Sequence, residues 1–114
     1  MSTGDVSKDG YPLVTIEDGI IVGQILHSDR TGRAFRSFQK IPYATPPIGD
    51  LRFAKSIPND PWQGIRDGSG NSTTICPQLN GAGTSVKNGS NEDCLYLNVY
   101  VPEITSDNLL PVVV

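Results

Sequence analysis

One histidine, two cysteines and a pair of adjacent carboxylates are the residues whose chemistry is worth testing first. Cys94, Glu92 and Asp93 meet in the stretch NEDCLYLNVYVP (Asn91–Pro102), and Cys76 lies upstream. One His and two Cys cannot complete a four-ligand zinc site, so no metal is expected. The pieces GSG and GAG lack the Lys-Ser/Thr and the strand–loop–helix setting of a phosphate loop, and no cofactor is expected. Asn71 in NST and Asn88 in NGS are N-glycosylation sequons, a pattern short enough to arise by chance. The cysteines bracket a Gly/Ser/Asn-rich loop with no core of its own. A bridge across it is one reading, and two reduced buried thiols are the other.

The elements that must position these groups are mostly strands and loops. Acidic residues are poor strand formers, so Glu92 and Asp93 at the mouth of a strand need a reason. The strand itself alternates cleanly, with Leu95, Leu97, Val99 and Val101 on one face and Tyr96, Asn98 and Tyr100 on the other. Upstream, PLVTI (12–16) and IIVGQIL (20–26) read as a hairpin about EDG, with Asp18 and Gly19 at turn positions that need positive φ. RAFRSFQKI (33–41) reads as a third strand of the same small antiparallel sheet. Prolines at 42, 46, 47, 58 and 61 exclude a long helix and a central strand there, which leaves an extended surface loop. WQGIRD reads as a short turn, the following residues to Asn91 as a long polar loop, and EITSDNLLP as another loop. Trp62, Tyr96 and Tyr100 are read as core or sheet cover rather than substrate contacts. No helix of ten residues is expected anywhere.

The gross numbers set bounds. The chain has 114 residues, a net charge of −3, 12 Gly, 9 Pro and 37% hydrophobic residues, which allows one loop-rich domain at most. There is no basic cluster, so neither nucleic acid nor an anionic membrane surface is an expected partner. No apolar run approaches the roughly 20 residues that cross a bilayer. MSTGDVSKDG lacks the apolar stretch of a secretory signal, which points to a cytoplasmic chain; the alternative, a secreted one, draws on the cysteines and sequons. Residues 1–11 read as a polar tail and 12–114 as the folded part. Val112, Val113 and Val114 read as the opening of a buried strand, so the chain is expected to be a fragment.

Several of these segments resemble, in order and spacing from about Gly19 to Val114, the type-B carboxylesterases, the cholinesterase and carboxylesterase branch of the α/β-hydrolases. EDCLYLNVYVP (Glu92–Pro102) is similar to a family signature, and GIIVGQI to the opening hairpin. FQKIPYATPPIGDLRF (Phe38–Phe53), PWQGIRDG, CPQ and LPVVV are similar to further family segments, and their flavour is that of insect carboxylesterases. Two positions depart from the pattern: Lys40 stands where the family has Gly, and Gly68 where it has Ala. The resemblance implies an α/β fold, of which this chain would be the N-terminal portion: a hairpin region, Pro-rich and disulfide loops, and the first strands of the central sheet, ending before the oxyanion loop.

It also implies roles for single residues. Cys76 and Cys94 would form a disulfide closing a loop in the wall of the active-site gorge, and Arg52 would pair with Glu92 as a buried structural ion pair. Hydrolysis in this fold uses a Ser on a Gly-x-Ser-x-Gly elbow, then an acid, then a His. GNSTT (70–74) and GTSVK (83–87) lack the second Gly and lie in polar loops. His27 precedes any such serine and reads as a surface residue in the turn after the hairpin. No catalytic residue is therefore expected here. The implied function is that of a serine carboxylesterase acting on small-molecule esters through an acyl-enzyme, with this chain alone inactive. The alternative is a non-catalytic cholinesterase-like adhesion protein. Oligomeric state and the identity of the ester are not legible.

Overall fold

The computed structural model describes residues 2–71, 74–103 and 107–114. Residues 104–106 of the expected loop EITSDNLLP and the Ser72 and Thr73 of the first sequon lie outside the described residues. Among the described residues seven strands form two sheets: β1 (Ser2–Val6), β2 (Pro12–Ile16), β3 (Gly19–Val22), β4 (Gln24–His27), β5 (Ala34–Pro42), β6 (Ile65–Asp67) and β7 (Tyr96–Pro102). The first sheet has the order β1-β2-β3-β6, the second β4-β5-β7. The one helical piece among the described residues is a 3₁₀ turn at Gly49–Leu51.

The hairpin β2–β3 closes with Ile16 opposite Gly19, so Glu17 and Asp18 form its two-residue loop. Only Gly19 has positive φ (+152°) there; Asp18 does not, contrary to the sequence expectation. Gly19 is required for a second reason. A Cβ on it would lie 2.5 Å from Nε1 of Trp62. That indole packs on the turn, with Nε1 donating to Ile20 O (3.0 Å) and the Trp62 amide donating to Asp18 O (2.9 Å).

The run Ile20–Leu26, read as one strand, is two. Buried Gly23 breaks it, and a Cβ there would strike the Ser37 carbonyl oxygen and the Phe38 ring. The chain leaves the first sheet at this point and enters the second. β5 therefore pairs with β4 and β7 rather than joining the hairpin's sheet. WQGIRD is more than a turn, because Ile65–Asp67 pairs in parallel with β3. Gly68 then stitches the sheets together: its amide donates to Val22 O (2.7 Å), and its carbonyl accepts from the Gln39 amide (2.8 Å).

The core sits where the two sheets meet. Val14, Ile21 and Phe38 are fully buried and Ile41 nearly so, with Ile16, Trp62, Val99 and Val101 packed against them. A radius of gyration of 16.5 Å, against about 13 Å for a compact domain of this length, reflects how little else is covered. Phe53 and Leu109 are exposed, as are Val112, Val113 and Val114. The valine run, expected to open a buried strand, has no strand pairing here; a β-branched run without a neighbouring strand has nothing to hydrogen-bond to. Residues 2–6, expected as tail, pair with β2 along Ser2↔Thr15, Asp5↔Leu13 and Val6↔Pro12.

The register of β5 against β7 slips by one residue between Phe38 and Ile41. This bulge sets Gln39 and Lys40 against Asn98 and puts Lys40 at φ +54°. The Lys40 amide donates to Asn98 Oδ1 (2.9 Å), so the side chain of β7 replaces a lost ladder bond. The resemblance implies a glycine at this position, a residue that tolerates this conformation without strain.

Candidate functional site

The chemistry-bearing residues converge where the Pro-rich loop meets the long polar loop. Cys76 and Cys94 are bridged, with Cα atoms 5.2 Å apart. Nε of Arg52 lies 2.6 Å from Oε1 of Glu92, and the two side chains are 54% and 44% exposed. Pro47, Phe53 and Pro77 line the same shallow depression as Arg52, Glu92 and Cys94. The ion pair thus ties the Pro-rich loop to the segment entering β7, next to the disulfide. It is not buried, as the sequence reading favoured, because only loops flank it; at that exposure such a pair contributes under about 1 kcal/mol.

Inside the bridged loop the backbone is organised locally. Leu79 and Val86 form an antiparallel bridge, and the Lys87 amide donates to Gln78 O (2.7 Å). The Asn80 side chain caps this turn, donating to Ser85 Oγ (2.9 Å) and accepting from the Thr84 amide (3.0 Å). Ile75 and Ser90 bridge in parallel, which carries the chain back towards Cys94.

The two carboxylates at the mouth of β7 point to different partners. Glu92 takes Arg52. Asp93 accepts a hydrogen bond from Tyr96 Oη (2.7 Å), and its amide donates to Asn91 Oδ1 (2.9 Å). Burial, reinforced by the Asp93 hydrogen bond and charge, raises the Tyr96 phenol above its ordinary range, with Arg66 opposing. Tyr96 also faces the Lys40 ammonium, 5.2 Å from its ring centroid. Sequence reasoning missed the Asp93–Tyr96 bond, since the three-residue spacing carries no signal outside a helix. It also missed the Arg36–Glu103 ion pair (3.0 Å), which depends on the β5–β7 register. A third unforeseen feature is Asp67, whose carboxyl is held below its ordinary range by the Ser69 hydroxyl and amide.

His27 is the exposed last residue of β4 rather than a turn residue. Tyr100 is exposed and meets Phe35 edge-on, with ring centroids 6.2 Å apart. Asn71 and Asn88 are both exposed. Among the described residues, no three His, Cys, Asp or Glu side chains converge, and no helix is long and apolar enough to cross a membrane. Among the described residues the arrangement fastens loops to a sheet.

A sheet pair whose loops are clipped by a disulfide and an Arg–Glu pair is a scaffold, and comparison with known proteins says which. The Carboxylesterase family profile matches residues 10–114. Juvenile hormone esterase of Tribolium castaneum is 43% identical over 104 residues, covering 91% of this chain and 17% of that protein. Pyrethroid hydrolase Ces2e of Rattus norvegicus is 38% identical (90% and 20% covered), and acylcarnitine hydrolase of Mus musculus 37% (87% and 19%). The chain belongs to the carboxylesterase family, whose fold class is the α/β-hydrolase. It spans about a fifth of the length of these relatives. The disulfide favours the secreted alternative over a cytoplasmic one, since such bonds persist in oxidising compartments.

Proposed function

We propose that this chain is the N-terminal region of a serine carboxylesterase that hydrolyses carboxylic esters through an acyl-enzyme. The family match across residues 10–114 carries the proposal, and the N-terminal placement rests on the order of the family-like segments read in the sequence. In this reading residues 12–114 supply early strands and the rim of the active site, while nucleophile, acid, base and oxyanion donors come from the remainder of the enzyme. The disulfide and the Arg52–Glu92 pair hold two loops of that rim in place. The relatives' names cover an esterase and two hydrolases with different substrates, so the substrate is assigned only as a small carboxylic ester. The disulfide supports a secreted setting.

The test compares two proteins with a nitrophenyl ester. The chain 1–114 alone should give no turnover above background, because no activated nucleophile is present in it. The protein from the continuous reading frame should hydrolyse the ester and lose activity to an organophosphate. Organophosphate-sensitive turnover by the short chain would overturn the assignment of the catalytic groups elsewhere. A folded but inert full-length protein would favour the adhesion reading.

A further inference from the structure

The two sequons are the motifs that ester hydrolysis leaves unexplained, and the asparagine of the second, Asn88, is placed differently from several others in this chain. Asn59 donates from Nδ2 to Asp60 O (3.2 Å). Asn80 caps the loop turn through both ends of its carboxamide. Asn91 and Asn98 accept backbone hydrogen bonds through Oδ1. Asn88, by contrast, is exposed, and none of the hydrogen bonds among the described residues uses its carboxamide. A glycan replaces one hydrogen of Nδ2, so an Nδ2 that donates within the fold, as at Asn59 and Asn80, is a hindered acceptor; Asn88 Nδ2 donates no such bond among the described residues.

The local backbone presents this side chain outward. Lys87–Ser90 is a tight turn in which the Ser90 amide faces Lys87 O (3.4 Å) and Gly89 has φ +79°. That places Asn88 at the first corner and glycine at the second, where a turn of this kind requires positive φ. The Ser90 hydroxyl, the second element of the sequon, donates to Lys87 O (2.9 Å) and so stays on the same turn as Asn88. The turn lies within the loop closed by Cys76–Cys94, a bond that belongs to the same oxidising lumen in which sequons are modified.

We propose that Asn88 carries an N-linked glycan. In the transfer, Asn88 Nδ2 forms a C–N bond to the anomeric carbon of an oligosaccharide carried on a polyprenyl pyrophosphate. The glycosyl–phosphate C–O bond breaks, the polyprenyl pyrophosphate departs with the electron pair, and the amide gives up one proton to a base of the transferring enzyme. No oxidant or reductant is needed. The glycan then covers the polar face of the bridged loop and leaves the sheet core untouched.

The experiment uses the full-length protein secreted from a eukaryotic cell, digested with peptide-N-glycosidase in heavy-oxygen water. The peptide beginning after Lys87 should be recovered with Asn88 converted to labelled Asp. Asn88→Gln and Ser90→Ala should each lose one deglycosylation shift on a gel, while Ser90→Thr, which preserves the sequon, should keep it. Unmodified Asn88 in the folded wild-type protein would overturn the proposal, as would modification confined to Asn71 or retention of the full shift in Ser90→Ala. Failure of one variant to be secreted does not matter to the outcome, because the wild-type peptide is read directly.

Discussion

The sheet region and the loop region of this molecule are held by different means. In the sheets, β2, β3, β5 and β7 bring Val14, Ile21, Phe38 and Ile41 into a continuous core. In the loops at 43–61 and 69–95 most side chains are exposed, and order comes from a disulfide, an ion pair and backbone bonds such as Thr45 N to Ile57 O (2.9 Å). Burial locks one part of the molecule and point fastenings the other. Changes in the core should therefore cost more than any single loosening of the loops, and each change below is read by denaturation of the full-length protein.

The largest effect is expected at Phe38, fully buried at the junction of both sheets. Phe38→Ala should lower stability by about 3–5 kcal/mol through lost burial and the cavity left behind. A loss no greater than that from a surface substitution would break the distinction between the two regions. Replacing Cys76 and Cys94 together by Ser should cost about 3 kcal/mol, the chain-entropy value for a loop of this size. An unchanged midpoint would mean that the loop is fastened by something other than the bridge.

A gain is expected at Lys40, the lysine in a left-handed conformation at the β5 bulge. Lys40→Gly should stabilise the protein by about 1 kcal/mol, relieving the Cβ crowding that left-handed backbone imposes. A loss instead would show that the ammonium over Tyr96 outweighs the backbone term. The smallest effect belongs to Arg52 and Glu92. A double-mutant cycle to Ala should return a coupling under about 1 kcal/mol, given their exposure. A markedly larger coupling in the full-length protein would indicate that the remaining chain buries the pair.

How much of this was legible follows from where the information resides. β2, β3 and β7 could be read because alternation and β-branched residues mark a strand whatever its partner; the β5 segment has Phe35 and Phe38 among polar residues without clean alternation. Which sheet each joins could not, because that depends on Gly23, whose role is the space it leaves for Phe38 and the Ser37 carbonyl. β6 is only Ile65–Asp67, too short for periodicity to register, and its parallel pairing with β3 is a long-range contact. β1 was missed because a polar strand has no hydrophobic signal to give it away. The valines at 112–114 were assigned a strand on propensity alone, and propensity cannot supply a hydrogen-bonding neighbour. At the site, the bridge and the Arg52–Glu92 contact were reached through resemblance to a family. Residue chemistry by itself left the cysteines open between bridge and thiols, and nothing in local spacing pointed Asp93 at Tyr96.

In the proposed reading this region frames an esterase site whose reactive groups lie elsewhere in the protein. Labelling the full-length protein with a fluorophosphonate, followed by peptide mapping, tests it most directly. The account predicts one stoichiometrically labelled serine, lying outside residues 1–114. A phosphonylated serine within those residues, protected by an ester substrate, would contradict it.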